Sequence, residues 1–199
     1  MTFELADSGK AMTMSTFKSR QLALTALVLL LGSSGISLAS ATESLVGGVR
    51  LEVLPQAWQD ESGHAFALTN WPGQRVVMTM SYANCHLICP MTINGLKQMQ
   101  AALDAKHETA QFVIVGYDPE NEDAAAWRNY RKTHHITRSN WHFVTGSVAD
   151  TVRFASQLKF ERWKYDEHVM HDSKVVLFGA NGVLSRELGS DTETWAAAL

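Results

Sequence analysis

The chain contains two cysteines, Cys85 and Cys89, which are separated by three residues in the segment Cys-His-Leu-Ile-Cys-Pro. Two sulfurs this close can form a disulfide, act as a redox couple or bind one soft metal ion. If Cys89 begins a helix, Cys85 lies in the preceding loop and can bend back over it. Two thiolates that face one point in space suit Cu(I) best and Zn(II) next.

Two thiolates form only part of a ligand shell, and the chain has eight histidines from which a third ligand can come. His86 lies between the cysteines and points away from them if the loop is extended. His168 and His171 lie in the segment 166–173, which is predicted to be a loop before a strand. The other five occupy positions typical of ordinary surface or core residues: His64, His107, His134, His135 and His142.

The residues around the cysteines predict a strand, a loop and a helix. The apolar run 75–80 precedes them and has the length and composition of a strand buried on both faces. Pro90 suits the first turn of a helix, where its missing N–H costs nothing. Apolar residues then recur at helical spacing up to about Lys106.

The rest of the chain alternates between strand-like and helix-like patterns. Strands are predicted at 49–54, 65–68, 111–116, 141–144, 174–178 and 183–188, where the first two form a hairpin and the last two flank Asn181-Gly182. Helices are predicted from Asn121 or Asp123, from about Val148 to Leu158, and as a last turn or two over 192–199.

This order predicts an α/β layer structure, with a central mixed sheet, parallel inner strands and hairpins at both ends. The cysteine segment then follows the carboxyl end of the first buried strand, where open α/β sheets place their sites. If the strand that begins near Lys174 is antiparallel to its neighbour, His171 lies close to the sulfurs. Three tryptophans are expected in the core or in helix–sheet contacts, namely Trp127, Trp141 and Trp163.

The N-terminal residues 1–41 have the layout of a secretory signal. Lys18 and Arg20 precede an apolar run over 22–31, and Ala39-Ser40-Ala41 supplies small residues for cleavage after Ala41. Because acidic residues lie upstream, Met12 or Met14 is an alternative start. The apolar run is about half of the roughly 20 residues that a membrane span needs, so a cleaved signal is favoured over an anchor. The expected location is the periplasm.

Residues 42–199 are then expected to form one domain, whose size does not need a disulfide for stability. Export favours oxidation of paired thiols. A disulfide that closes so short a loop stabilises only modestly, so chemistry explains the cysteines better than structure does. The net charge of the chain is only −3 and it has no basic run, which argues against a nucleic-acid partner.

Three segments together resemble the Sco/SenC family of copper-binding assembly proteins. They are the buried strand followed by Cys-x-x-x-Cys-Pro, the strand Phe112–Gly116 with its Asp118-Pro119 turn, and His171 before the last hairpin. The resemblance covers about residues 54–189. It implies a thioredoxin-like fold and one copper ion, Cu(I) or Cu(II), held by Cys85, Cys89 and His171. It also implies delivery of copper to the binuclear centre of cytochrome c oxidase subunit II, or reduction of that centre's cysteines.

The chain departs from the family pattern at two places. Members often carry an acidic residue or proline between the cysteines, where this chain has His86-Leu87-Ile88. They also often carry Asp before the ligand histidine, where this chain has Met170. The proposed ligands survive both changes, although affinity, redox potential and partner can differ. Asp118 is expected to have a structural role in its turn.

Three hypotheses follow from the sequence. The first is an exported copper chaperone, with a membrane-anchored oxidase subunit or another copper or thiol protein as its partner. The second is a thiol–disulfide reductase in which Cys85 and Cys89 form the redox pair and no metal is bound. The third is a zinc-stabilised binding module, which is the weakest because three ligands do not close a structural zinc site.

Overall fold

The computed structural model describes residues 48–83, 89–165 and 168–199. For residues 89, 90, 162, 164, 165 and 168–170 it describes the backbone but not the side chains. The predicted signal over residues 1–41, with the alternative starts Met12 and Met14, lies outside the described residues. Cys85 and His86 lie outside them as well.

The described elements follow the predicted order of a hairpin, alternating strands and helices, and a final hairpin, with one additional hairpin before the last one. The strands are β1 (Trp58–Asp60), β2 (Ala65–Phe66), β3 (Val76–Ser81), β4 (Gln111–Gly116), β5 (Trp141–Gly146), β6 (Arg162–Tyr165), β7 (His168–His171), β8 (Val175–Phe178) and β9 (Leu184–Leu188). The α-helices are α1 (Cys89–Ala105), α2 (Ala124–Thr133) and α3 (Val148–Gln157), and 3-10 turns cover Leu51–Val53 and Thr192–Ala198.

The main sheet has the strand order β2-β1-β5-β4-β3-β8-β9. Strands β3, β4 and β5 are parallel, as the alternation of strands and helices predicts. Strand β8 is antiparallel to β3, with Thr79 opposite Val175 and Val76 opposite Phe178. The start of β8 therefore lies beside the carboxyl end of β3, which is the condition under which His171 comes near the cysteine segment.

Both faces of the main sheet are covered, because its central strands are apolar on both sides. All six residues of β3 are buried. Val77, Phe112 and Ile114 face one core with α1, α2 and the C-terminal 3-10 turn. Met78, Val113 and Val115 face the other core with α3. Within the described residues, no helix has both the length and the apolar content needed to cross a membrane.

The N-terminal hairpin exists, but its first strand is not at 49–54. Residues 51–53 form a 3-10 turn, since Leu51 and Leu54 are both buried while Val53 is 58% exposed. Two buried residues three apart fit one helical turn and not an alternating strand. The amide of Gln56 fixes this turn by donating to the carbonyls of Leu51 and Leu54. The hairpin instead pairs β1 with β2.

A second hairpin stands where a loop was predicted. Strand β7, with His168 and His171 at its ends, pairs antiparallel with β6, so that His171 lies opposite Arg162. This two-stranded sheet is separate from the main one. Trp163 in β6 is 49% exposed, so its assignment to the core was wrong, whereas Trp127 and Trp141 are buried as predicted.

Candidate metal centre

The cysteine segment joins the carboxyl end of β3 to the first residue of α1. Cys89 begins α1, as the position of Pro90 predicts, but its side chain lies outside the described residues. Two buried hydroxyls border this segment, Ser81 before Cys85 and Thr92 after Cys89. Neither has a hydrogen-bond partner among the described residues. A buried hydroxyl without a partner costs about 1–3 kcal/mol, and each of these two can donate one hydrogen bond.

His171 is the described residue that best fits a ligand. It is 3% exposed, at the end of β7 and just before β8. Its ring Nδ1 lies 2.7 Å from the backbone carbonyl oxygen of Asp172. A carbonyl only accepts hydrogen bonds, so Nδ1 carries the proton and the lone pair of the neutral ring is on Nε2. A metal-binding imidazole is commonly oriented in this way by a backbone carbonyl.

Tyr117 fixes the position of His171 relative to the cysteine strand. The two rings stack with their centroids 4.7 Å apart. The Tyr117 hydroxyl donates to Oδ1 of Asp172 at 3.0 Å. The Tyr117 backbone N–H donates to the Ser81 carbonyl at 3.0 Å, at the end of β3. One buried residue thus contacts both the strand that leads to the cysteines and the segment that carries the histidine.

A buried carboxyl, Glu122, lies in the same region and was not predicted from the sequence. It is 1% exposed. Its Oε1 accepts a hydrogen bond from the backbone N–H of Ala83, and its Oε2 accepts one from the N–H of Asp118 at 2.9 Å. Burial raises the pKa of Glu122 to about 8, although these two bonds and the nearby His171 act to lower it.

The turn at Asp118 has the structural role that the sequence predicts. Oδ2 of Asp118 accepts from the amide of Asn121 at 2.8 Å, and its carbonyl accepts from the Asn121 backbone N–H at 3.0 Å. Asp123 then caps α2 by accepting from the N–H of Ala126. Glu122 stands between turn and cap in a polar run, where no periodic pattern marks it as buried.

The structure does not by itself bring three metal-ligating side chains together, since Cys85 and the Cys89 side chain lie outside the described residues. Among the described residues no group of three or more His, Cys, Asp or Glu could hold a metal ion. The backbones of His168 and Met170 lie in β7.

The histidines that the sequence analysis set aside have ordinary surroundings where they are described. His64 is exposed near Asp60, and His107 and His135 adopt positive φ angles at helix ends. The ring centroid of His142 lies 4.5 Å from that of Trp71, with the two planes tilted by 35°, and burial lowers the pKa of His142. The ring of His134 lies 4.2 Å from that of Tyr130, and burial lowers its pKa as well.

Comparison with known proteins identifies relatives over most of the described chain. The family model SCO1/SenC matches residues 55–198. The human mitochondrial protein SCO2 homolog is 30% identical over 174 residues, and the match covers 80% of this chain. This chain spans 65% of the length of that relative.

Solved structures share the fold at lower identity. Arabidopsis thaliana ScoI, solved with copper bound, is 16% identical with a TM-score of 0.65, over 77% of this chain and 94% of that one. BsSco is described as a member of the Sco family of cytochrome c oxidase assembly proteins with a disulfide switch. It is 22% identical with a TM-score of 0.62, over 76% of this chain and 97% of that one. This likeness confirms the predicted thioredoxin-like fold.

Proposed function

The chain belongs to the SCO1/SenC family, and on that premise we propose that it is an exported copper chaperone. Its ligands for one copper ion are the thiolates of Cys85 and Cys89 and the imidazole of His171. The observation that carries the proposal is the buried, oriented ring of His171 at the carboxyl end of β3. Packing of an apolar side chain does not explain a buried ring whose Nδ1–H is fixed by the Asp172 carbonyl, just before the strand that pairs with β3.

The donor set suits copper for a chemical reason. Thiolates are soft ligands that favour Cu(I), and an imidazole accepts either copper valence. The cysteines must be reduced, because the two sulfurs of a disulfide carry no thiolate charge. Oxidation of the pair releases two electrons and two protons from the two thiols, so the redox state of the cysteines controls whether copper can bind.

The partner that we propose is the subunit of cytochrome c oxidase that holds the binuclear copper centre. Support comes from BsSco, which is described as a cytochrome c oxidase assembly protein, and from the copper-bound ScoI of Arabidopsis thaliana. That subunit is anchored in a membrane, which suits a chaperone on the periplasmic side. The proposed export rests on the sequence pattern of residues 1–41 alone.

A second function, thiol–disulfide reduction, is favoured by a separate observation. Cys89 is the first residue of α1, and the N-terminus of a helix stabilises a thiolate. In this reaction one thiolate attacks a partner disulfide, and the second cysteine displaces the partner thiol while a disulfide forms between Cys85 and Cys89. The disulfide switch described for BsSco is consistent with such a step.

Metal analysis of the reduced protein separates the two functions. We expect about one copper per reduced chain, bound by the wild type and lost in His171→Ala and in Cys85→Ala. The matched control is His64→Ala, because its side chain is largely exposed, and it should bind as the wild type does. Full copper binding by His171→Ala contradicts the three-ligand site. Absence of copper binding, together with catalytic reduction of insulin disulfides, favours the reductase.

A further inference from the structure

The buried carboxyl of Glu122 joins two chain segments that otherwise belong to different strands. Ala83, which donates to Oε1, stands two residues before Cys85. Asp118, which donates to Oε2, stands two residues after the end of β4. Each oxygen thus accepts a hydrogen bond from one segment, and a carboxyl keeps acceptor capacity on both oxygens whether or not it carries a proton.

The surroundings of Glu122 leave its side chain and backbone little freedom. Its carbonyl accepts from the hydroxyl of Thr145 at 2.9 Å, and that hydroxyl accepts from the indole of Trp127 at 2.8 Å. Gly116 makes room for the carboxyl, since a Cβ at that position would lie 2.5 Å from Oε2. The carboxyl therefore occupies a space that any other residue at 116 would partly fill.

We propose that Glu122 is a positioning residue, which holds the entry of the cysteine segment against the turn after β4 and so sets where the sulfurs lie. This inference rests on the proposed function of Cys85, Cys89 and His171. Burying a carboxyl among apolar groups is costly, and of the two backbone donors that offset this cost, Ala83 is available only while the entry of the cysteine segment stays in place.

The substitution Glu122→Gln tests this role with little change in volume. Its amide can accept from one of the two N–H groups but presents a second donor to the other. In reduced protein titrated with Cu(I) against a chromogenic chelator, we expect about 10–100-fold weaker binding, as for other residues that orient metal ligands. The matched control is Asp123→Asn, which alters the neighbouring cap of α2 and should change copper affinity less than about twofold.

A second readout uses metal-free protein. The equilibrium constant between the Cys85–Cys89 dithiol and its disulfide, measured against glutathione, should change at least tenfold in Glu122→Gln, or about 30 mV. If Glu122→Gln does not fold, Gly116→Ala is the second variant, because it displaces the carboxyl without removing it. Its copper affinity and its redox equilibrium constant should each shift in the direction expected for Glu122→Gln. If Glu122 only stabilised the fold, its substitution would lower the melting temperature and leave the copper affinity and the redox equilibrium constant unchanged.

The outcomes separate this inference from the proposed function. If the wild type binds copper and the folded Glu122 and Gly116 variants match it in affinity and redox equilibrium, the positioning role is overturned while the copper function stands. If the wild type binds no copper, the copper function fails, and the positioning role of Glu122 is then decided by the redox equilibrium alone. A tenfold change there supports the positioning role, and wild-type behaviour overturns it.

Discussion

The raised pKa of Glu122 makes a quantitative prediction about stability. Burial raises this pKa from 4.5 to about 8, so between these values the folded chain keeps a proton that the unfolded chain has released. Stability therefore falls as pH rises through this window. Each pH unit accounts for up to about 1.4 kcal/mol, which sets a ceiling on the order of 5 kcal/mol for the whole window.

The perturbation that exposes this contribution is Glu122→Gln in the reduced, metal-free protein. Glutamine does not titrate, so the variant loses this dependence on pH. The free energy of unfolding is measured by urea titration with tryptophan fluorescence at several pH values between 5 and 8. The free energy of unfolding of the wild type minus that of the variant should decrease steadily as pH rises from 5 to 8, by about several kcal/mol in total.

The control is Thr145→Val, which removes the hydroxyl that contacts the carbonyl of Glu122 and adds no titrating group. Its difference from the wild type should stay constant across the same series. A wild-type-minus-Gln difference that is flat, or that grows as pH rises, would refute the reasoning, because the buried carboxyl would then ionise as readily as in the unfolded chain.

Three further outcomes concern the framework around the site. Gly146→Ala places a Cβ 2.6 Å from the ring of Trp58, and because this buried ring cannot move freely, we expect about 1–3 kcal/mol lower stability in urea unfolding. Asp123→Ala removes the cap of α2 and should cost about 1 kcal/mol, seen as a lower urea midpoint at an unchanged slope. Glu61→Ala leaves the guanidinium of Arg131 half-buried without its ion pair. The expected cost is about 2 kcal/mol by thermal unfolding, below the range for a fully buried pair because both side chains keep some exposure.

The fold was largely predictable because its central strands are continuous apolar runs. Strands β3 and β4 stand where such runs lie, and α1 begins one residue before Pro90. The antiparallel direction of β8 could only be stated as a condition, since strand direction depends on tertiary pairing. The hairpin of β6 and β7 was missed because its residues show no regular alternation, and its Trp163 stays exposed.

The residue types of the proposed ligands could be predicted from the sequence, whereas the residues that position them could not. Cys85 and Cys89 stand out by chemistry and spacing, His171 was singled out by the family resemblance, and their joint role as ligands stays a prediction. Glu122 could not be recognised, because a single glutamate in a polar run is typically exposed. Its burial follows from the space at Gly116 and from two backbone donors that only the folded chain brings together.

The contacts of Tyr117 explain how distant segments are held at one end of the sheet. His171 is the last residue of β7, which pairs with β6 in a sheet separate from that of β3. Tyr117 makes the connection, because its N–H bonds to β3 while its ring stacks on His171 and its hydroxyl holds Asp172. Since Asp172 in turn supplies the carbonyl that orients the His171 ring, the ring is held from its face and its edge. The position of the imidazole therefore depends on the end of β3, the same point from which the cysteine segment departs.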